Sequence, residues 1–302
     1  MRCSATGRGA IVVAALLAIG CHSPPPAAPG EAPPLPPGDA GRVLARAFDA
    51  AGGWPRWQAK RDVAYVSMLT IVDPERELTT DSIGWFAAPL HAGARVRVDS
   101  IGLPTEVRFG VDGAETWITS DGQPLVAPGQ LALTRFDLVS SLFWFSLPFG
   151  LVELPFAVTY DGAETGPDGT RWEKLRAELA HPDPAVPGKW FVLYFDGETG
   201  LIDHVFAQLS APFLRHDLWV GRWLHYREWD GIRKERQRKF FPADESGDVI
   251  GALVAEQFVE HVHFDNDYPP AYFDRPPVGL APATPRAPDA GVAPIAWRRD
   301  AR

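Results

Sequence analysis

The chain has 302 residues, 46% of them hydrophobic and 22% charged, and its formal net charge is -9. That size and apolar share suffice for a sizeable core, while an acidic surface repels nucleic acid, so nucleic-acid binding is not expected. The two cysteines, Cys3 and Cys21, sit near the N-terminus, leaving the remainder without a disulfide, a thiolate nucleophile or a thiolate metal site.

In chain order, Arg2 and Arg8 form a short positive start, residues 10–19 an uncharged apolar run, and Gly20 precedes Cys21. This order resembles a bacterial lipoprotein signal, in which the cysteine is acylated and leads the mature chain. Ala18 departs from it, standing where leucine is commonest, and the alternative is an ordinary cleaved signal with a chance cysteine. The run falls short of the ~20 apolar residues that span a bilayer. The expectation is therefore a signal peptide over 1–20, lipidation at Cys21 and attachment to the membrane through the acyl anchor. His22 stands where an aspartate would favour retention in the inner membrane, so the resemblance points to the outer membrane, facing the periplasm. Residues 21–38 are a proline-rich tether, with eight prolines between positions 24 and 37. One body is expected over 39–275 and a disordered Pro/Ala-rich tail over 276–302.

The body opens on a helix: Asp39 can cap it, Val43, Leu44, Ala47, Phe48 and Ala51 share a face, and Gly52-Gly53 ends it. The pattern then turns to strands, predicted at 63–72, 83–87, 95–99, 106–111, 115–119, 156–160, 171–179, 190–195, 202–209, 219–229, 236–241 and 253–264. Six Asp-Gly pairs, at 112, 121, 161, 168, 196 and 230, punctuate them, and such pairs favour tight turns. About twelve strands with little helix fit one large curved antiparallel sheet or an incomplete barrel better than a sandwich. One segment breaks the meander. Residues 138–152 carry no charge and follow 131–137 with helical spacing. They read either as a core helix ended near Pro148 or as an apolar plug filling the hollow of the sheet until a lipid displaces it.

Three stretches resemble the periplasmic LolA-like half-barrels. These are the helix, Gly-Gly and aromatic link of 45–60, the Asp112-Gly113 turn with Trp117, and the strand, polar turn and Phe273-x-x-Pro276 finish of 259–276. The resemblance implies a mainly β fold with a few helices: an incomplete antiparallel β-barrel whose concave face the helices cover. It also implies carriage or sensing of lipid or lipoprotein acyl chains without catalysis. An anchored chain fits a receptor-type or lipid-binding lipoprotein better than a shuttle, and a monomer is expected.

Familiar catalytic and cofactor patterns are missing from the sequence: there is no G-x-S-x-G, phosphate loop, H-E-x-x-H or dinucleotide fingerprint. No cofactor is expected. His261 and His263, with Asp265 and Asp267, could supply zinc if strand alternation holds, which gives a metal-assisted hydrolase as one alternative; the other is a structural envelope protein without a ligand. Asp203-His204 and His216-Asp217 are strand neighbours expected to face opposite ways. The basic run Arg233, Lys234, Arg236, Arg238 and Lys239 reads as a solvated sheet edge or as a headgroup contact. Among the eleven tryptophans, Trp117, Trp219 and Trp223, with Phe143, Trp144 and Phe145 of the uncharged segment, are the candidate lining of a ligand cavity.

Overall fold

The computed structural model describes residues 33–73, 78–209 and 214–277. The signal peptide, Cys21, most of the tether and nearly all of the tail lie outside these residues.

Thirteen strands form a single sheet whose neighbours are all antiparallel. They are β1 (Asp62–Asp73), β2 (Leu78–Pro89), β3 (Arg95–Ser100), β4 (Val107–Asp112), β5 (Glu115–Ser120), β6 (Gln123–Pro124), β7 (Phe156–Thr165), β8 (Arg171–Leu179), β9 (Gly188–Asp196), β10 (Ile202–Leu209), β11 (Leu218–Trp229), β12 (Ile232–Pro242) and β13 (Ala255–Phe264). The order is β6-β5-β4-β3-β2-β1-β13-β12-β11-β10-β9-β8-β7. First and last strands thus pair in mid-sheet, from Val63↔Phe264 to Ile71↔Ala255, and the two edges, β6 and β7, do not meet. The connection between those edges is helical: α3 (Pro128–Ser146) and α4 (Gly150–Glu153). The sheet is curved and unclosed, as the strand pattern predicted.

All twelve predicted strands are present, and β6 is an additional two-residue strand. Five of the six Asp-Gly pairs lie at strand-to-strand turns. Asp121-Gly122 and Asp230-Gly231 hold φ of 48°/75° and 49°/76°, positive at both positions as a type I′ turn requires. Asp161-Gly162 does not turn the chain. It lies within β7, where the register against β8 shifts between Tyr160 and Ala163.

α1 (Gly38–Ala50) buries Ala40, Val43, Leu44, Ala47 and Phe48, an apolar stripe at helical spacing. Asp39 does not cap it. It lies in the first turn, where its charge suits the helix dipole, and pairs with Arg42 at 3.1 Å. Gly52 ends the helix at φ 114°, and a Cβ there would lie 2.1 Å from the Gly231 carbonyl oxygen, so only glycine permits this approach to the β11–β12 turn. Arg46 donates to the carbonyls of Gly197 and Glu198 at 2.6 and 2.7 Å, tying α1 to the β9–β10 turn. The short α2 (Trp54–Gln58) then leads into β1.

The main core occupies the concave side, where α1, α2, α3 and α4 meet the sheet. A small second cluster covers the convex side: Phe273, Tyr268 and Tyr272 pack on Ala64, Ala87 and Trp85. Arg97 fixes this flap by donating to the Tyr272 carbonyl at 2.9 Å while lying 4.3 Å from the centre of the Tyr272 ring.

Candidate functional site

The two ends of the hollow are built differently. At the β11–β12 turn end the aromatic rings close on one another. Phe149 stacks on Trp57 at 4.8 Å between ring centres and meets Phe48 at 5.1 Å, and Phe48 stacks on Trp54 at 5.5 Å. Glu153 of α4 accepts from Trp57 Nε1 (3.0 Å) and Gln58 Nε2 (2.7 Å) and faces His91 Nδ1 at 2.7 Å. The other ring nitrogen of His91 faces the Lys60 carbonyl at 3.1 Å. Burial alone would lower the His91 pKa, but both ring nitrogens meet acceptors and Glu153 is charged, so the net displacement is upward.

The opposite end holds a cavity of about 430 Å³. Its floor comes from the late part of β1 (Leu69, Ile71, Val72), the end of β12 (Phe240, Pro242), the start of β13 (Ala255, Gln257), Trp219 of β11 and Leu209 of β10. Leu214, Arg215 and His216, with Gly251, Ala252 and Val254, form its rim. The roof is α3, through Leu133, Phe136, Asp137, Ser140, Ser141 and Trp144. The second half of α3 carries no charge because it is submerged. Leu138, Val139, Phe143, Trp144 and Phe145 are all buried, and beyond them the chain passes a cis Leu147–Pro148 bond into α4.

Behind the cavity runs a buried polar chain. Gln257 donates to Ser141 Oγ at 3.0 Å and to Ser67 Oγ at 2.9 Å. Its carbonyl accepts from Arg238 Nη1 at 2.9 Å, and Arg238 donates through Nε to Glu235 at 2.6 Å. Lys234, fully buried, donates to the Leu147 carbonyl at the end of α3, lies 3.9 Å from Glu235, and has its pKa lowered by burial to about 8. The basic run is therefore neither an edge nor a headgroup patch. β12 lies in mid-sheet, Lys234 and Arg238 point into the molecule, and Arg236 and Lys239 pair across the strand with Glu260 and Glu256.

Some polar groups here lack partners. The Asp137 carboxyl, facing the cavity, has no hydrogen bond or ion pair among the described residues, and burial alone pushes its pKa up to about 7. Ser140 Oγ, one turn further along the same helix face, and Tyr65 Oη, in the core behind the floor, are buried without a hydrogen-bond partner.

Of the aromatic residues singled out from sequence, Trp144 and Trp219 line the cavity. Phe143, Phe145 and Trp223 pack in the main core behind it: Phe143 on Phe191 at 4.8 Å, Phe145 on Tyr65 at 5.0 Å, and Trp223 edge-on to Trp144 at 5.4 Å. Trp117 is on the other side of the sheet. It pairs across the strand with Gly110, between Phe109 and Val111, which face the main core, and its indole covers the space a Cβ on Gly110 would need. Residues 138–152 do fill the hollow, as α3 and α4, but incompletely.

His261 has φ 52° and lies where the β1–β13 register shifts, so alternation fails and His261 is exposed while His263 sits by Trp85 on the convex side. Asp265 and Asp267 pair with Lys60 and Arg61. No group of three or more His, Cys, Asp or Glu among the described residues is placed to hold a metal ion. Asp203 and His204 hydrogen-bond at 2.7 Å despite being strand neighbours, because the β9–β10 register shifts between Ile202 and His204.

Sequence reasoning missed Asp137, Ser140 and Gln257. The available signal for Asp137 was its place as the last charge before fifteen uncharged residues.

No protein-family model matches the chain, and no curated protein matches it. Among solved structures it is similar to a LolA superfamily protein from Nitrosomonas europaea, at 12% identity and TM-score 0.49, covering 77% of this chain and 96% of that one. It is also similar to an outer membrane lipoprotein-sorting protein domain from Vibrio parahaemolyticus, at 11% identity and TM-score 0.46, covering 77% and 95%. A third is a DUF1329 family protein from Desulfovibrio piger, at 11% identity and TM-score 0.43, covering 77% and 96%. The fold itself is an unclosed antiparallel sheet with helices laid in its hollow.

Proposed function

We propose that this chain is a non-enzymatic, acyl-anchored periplasmic lipoprotein that holds a hydrophobic ligand, a lipid or lipoprotein acyl chain, between α3 and the sheet. The observation that carries the reading is the cavity. Its volume of about 430 Å³ falls within the range of about 300–1,000 Å³ usual for ligand sites, and its walls are mostly apolar with a few convergent polar groups. Attachment at Cys21 and an outer-membrane position rest on the sequence alone, since each acyl methylene withdrawn from water contributes about 0.8 kcal/mol to anchoring.

The full chain is to be purified and its extracted lipids analysed by mass spectrometry, alongside titration with an alkyl-chain probe followed by tryptophan emission. Retained lipid and an emission change abolished by Ala255→Trp, which blocks the floor, are the expected results. A chain that retains no lipid and ignores the probe is a structural envelope protein instead. Anchoring is tested separately: Cys21→Ser should move the protein from the membrane fraction to the soluble periplasmic fraction.

A further inference from the structure

The roof of the cavity carries a feature that plain apolar storage does not need. Asp137 and Ser140 are three residues apart on α3, so they share a helix face, and both border the cavity. Neither has a partner among the described residues: Ser140 Oγ is buried without one, and Asp137 is half-buried beside it with no hydrogen bond or ion pair, although a polar group drawn from water without a partner costs stability. The charged and amide side chains behind the floor are served, since Glu235 has Arg238, Gln257 has Ser67 and Ser141, and Lys234 has the Leu147 carbonyl, while Tyr65 Oη and Trp223 Nε1 are not. The other titratable groups on the cavity are Arg215, itself already engaged, and His216, both at the rim; Tyr65, Glu235 and Arg238 lie behind the floor. None of their charges offsets the burial of Asp137. Two unpartnered polar side chains on one helix face, both lining an apolar cavity, make it a candidate binding site.

We infer that the cavity selects a single-chain amphiphile whose polar head donates hydrogen bonds, an ammonium or a hydroxyl group, to Asp137 and Ser140, with its alkyl chain against the apolar walls around Trp144 and Trp219. A donor head supplies what these two side chains lack, and an ammonium also balances the carboxylate. A carboxylate or phosphate head brings a second negative charge into the same apolar space and is disfavoured. This selectivity rests on the proposed ligand-binding reading and refines it.

The test uses the full chain stripped of co-purified lipid, titrated at pH 8 with dodecylamine, 1-dodecanol and dodecanoate below their micellar range, with tryptophan emission as the readout. Dodecylamine should bind about tenfold or more tighter than dodecanoate, with dodecanol between them, as expected for one charge-assisted hydrogen bond. Asp137→Asn, nearly the same shape, should bring the three within about threefold of one another, and Ser140→Ala should weaken dodecanol most. A pH series on the unaltered chain needs no variant: its preference for the amine should grow from pH 6 to 8 as Asp137 ionises. Equal affinities, or a ranking that survives Asp137→Asn, would overturn the inference while leaving ligand binding intact. If no probe binds at all, the ligand-binding reading falls and takes this selectivity with it.

Discussion

The hollow of this sheet is finished at one end and unfinished at the other, although the same strands run through both. At the β11–β12 turn, Phe48, Trp54, Trp57 and Phe149 fill the space ring against ring, and Glu153 satisfies three neighbours at once. Towards the β10–β11 link, α3 stands off the floor, leaves about 430 Å³, and turns an unpaired acid into it. Interiors normally pack to the density of organic crystals, so a void of this size beside a well-packed neighbour is not a general property of the fold. The packed end stabilises the molecule, and the open end gives up stability where the proposed ligand site lies.

That contrast can be broken at several points. Phe149→Ala should cost about 3–5 kcal/mol in urea unfolding, because it removes a fully buried ring from the packed end, while probe affinity at the far end stays unchanged. Asp137→Asn should do the reverse and stabilise the fold. The folded protein keeps the Asp137 proton up to about pH 7, whereas the unfolded chain releases it near 3.8. Between those values the folded state binds more protons, so stability falls as pH rises. The full displacement corresponds to about 4 kcal/mol, and since Asp137 is only half-buried the asparagine variant should gain about 2 kcal/mol at pH 8 and nothing at pH 3, as read from melting curves at both. Ala255→Trp should change stability by under about 1.5 kcal/mol, since the indole enters empty space, whereas a comparable insertion at the packed end would cost more. The smallest effect belongs to His91. Its pKa is raised, so the stability it contributes is complete below 6.5 and is lost as pH rises through the raised value. Glu153→Gln should flatten that part of the pH–stability curve.

How much of this was legible beforehand depends on the range of the cause. The α1 stripe, the strands and five of the six Asp-Gly turns follow from residues within a few positions of each other, and these were read correctly. Trp117 was assigned to the cavity because an aromatic residue on a strand looks the same from either face; the pairing with Gly110 puts it on the convex side. His261 and His263 were read as sharing a face by counting residues, and a single bulge undid the count. The run from Arg233 to Lys239 looked solvated because charge usually is, but its partners Glu256, Gln257 and Glu260 come from β13.

Periodicity and turn chemistry were enough to specify a large curved antiparallel sheet or incomplete barrel, and the uncharged stretch marked a helix or plug, with the helices placed on the concave face only by resemblance. Such patterns are short-range properties, written in neighbouring residues. Only the folded chain decided which indoles face inward, where Lys234 and Arg238 find partners, and that α3 covers the sheet without filling it. Packing and hydrogen bonding join segments far apart in the chain, as Lys234 and Leu147 do across 87 positions and Ser141 and Gln257 across 116, and no local pattern encodes those meetings.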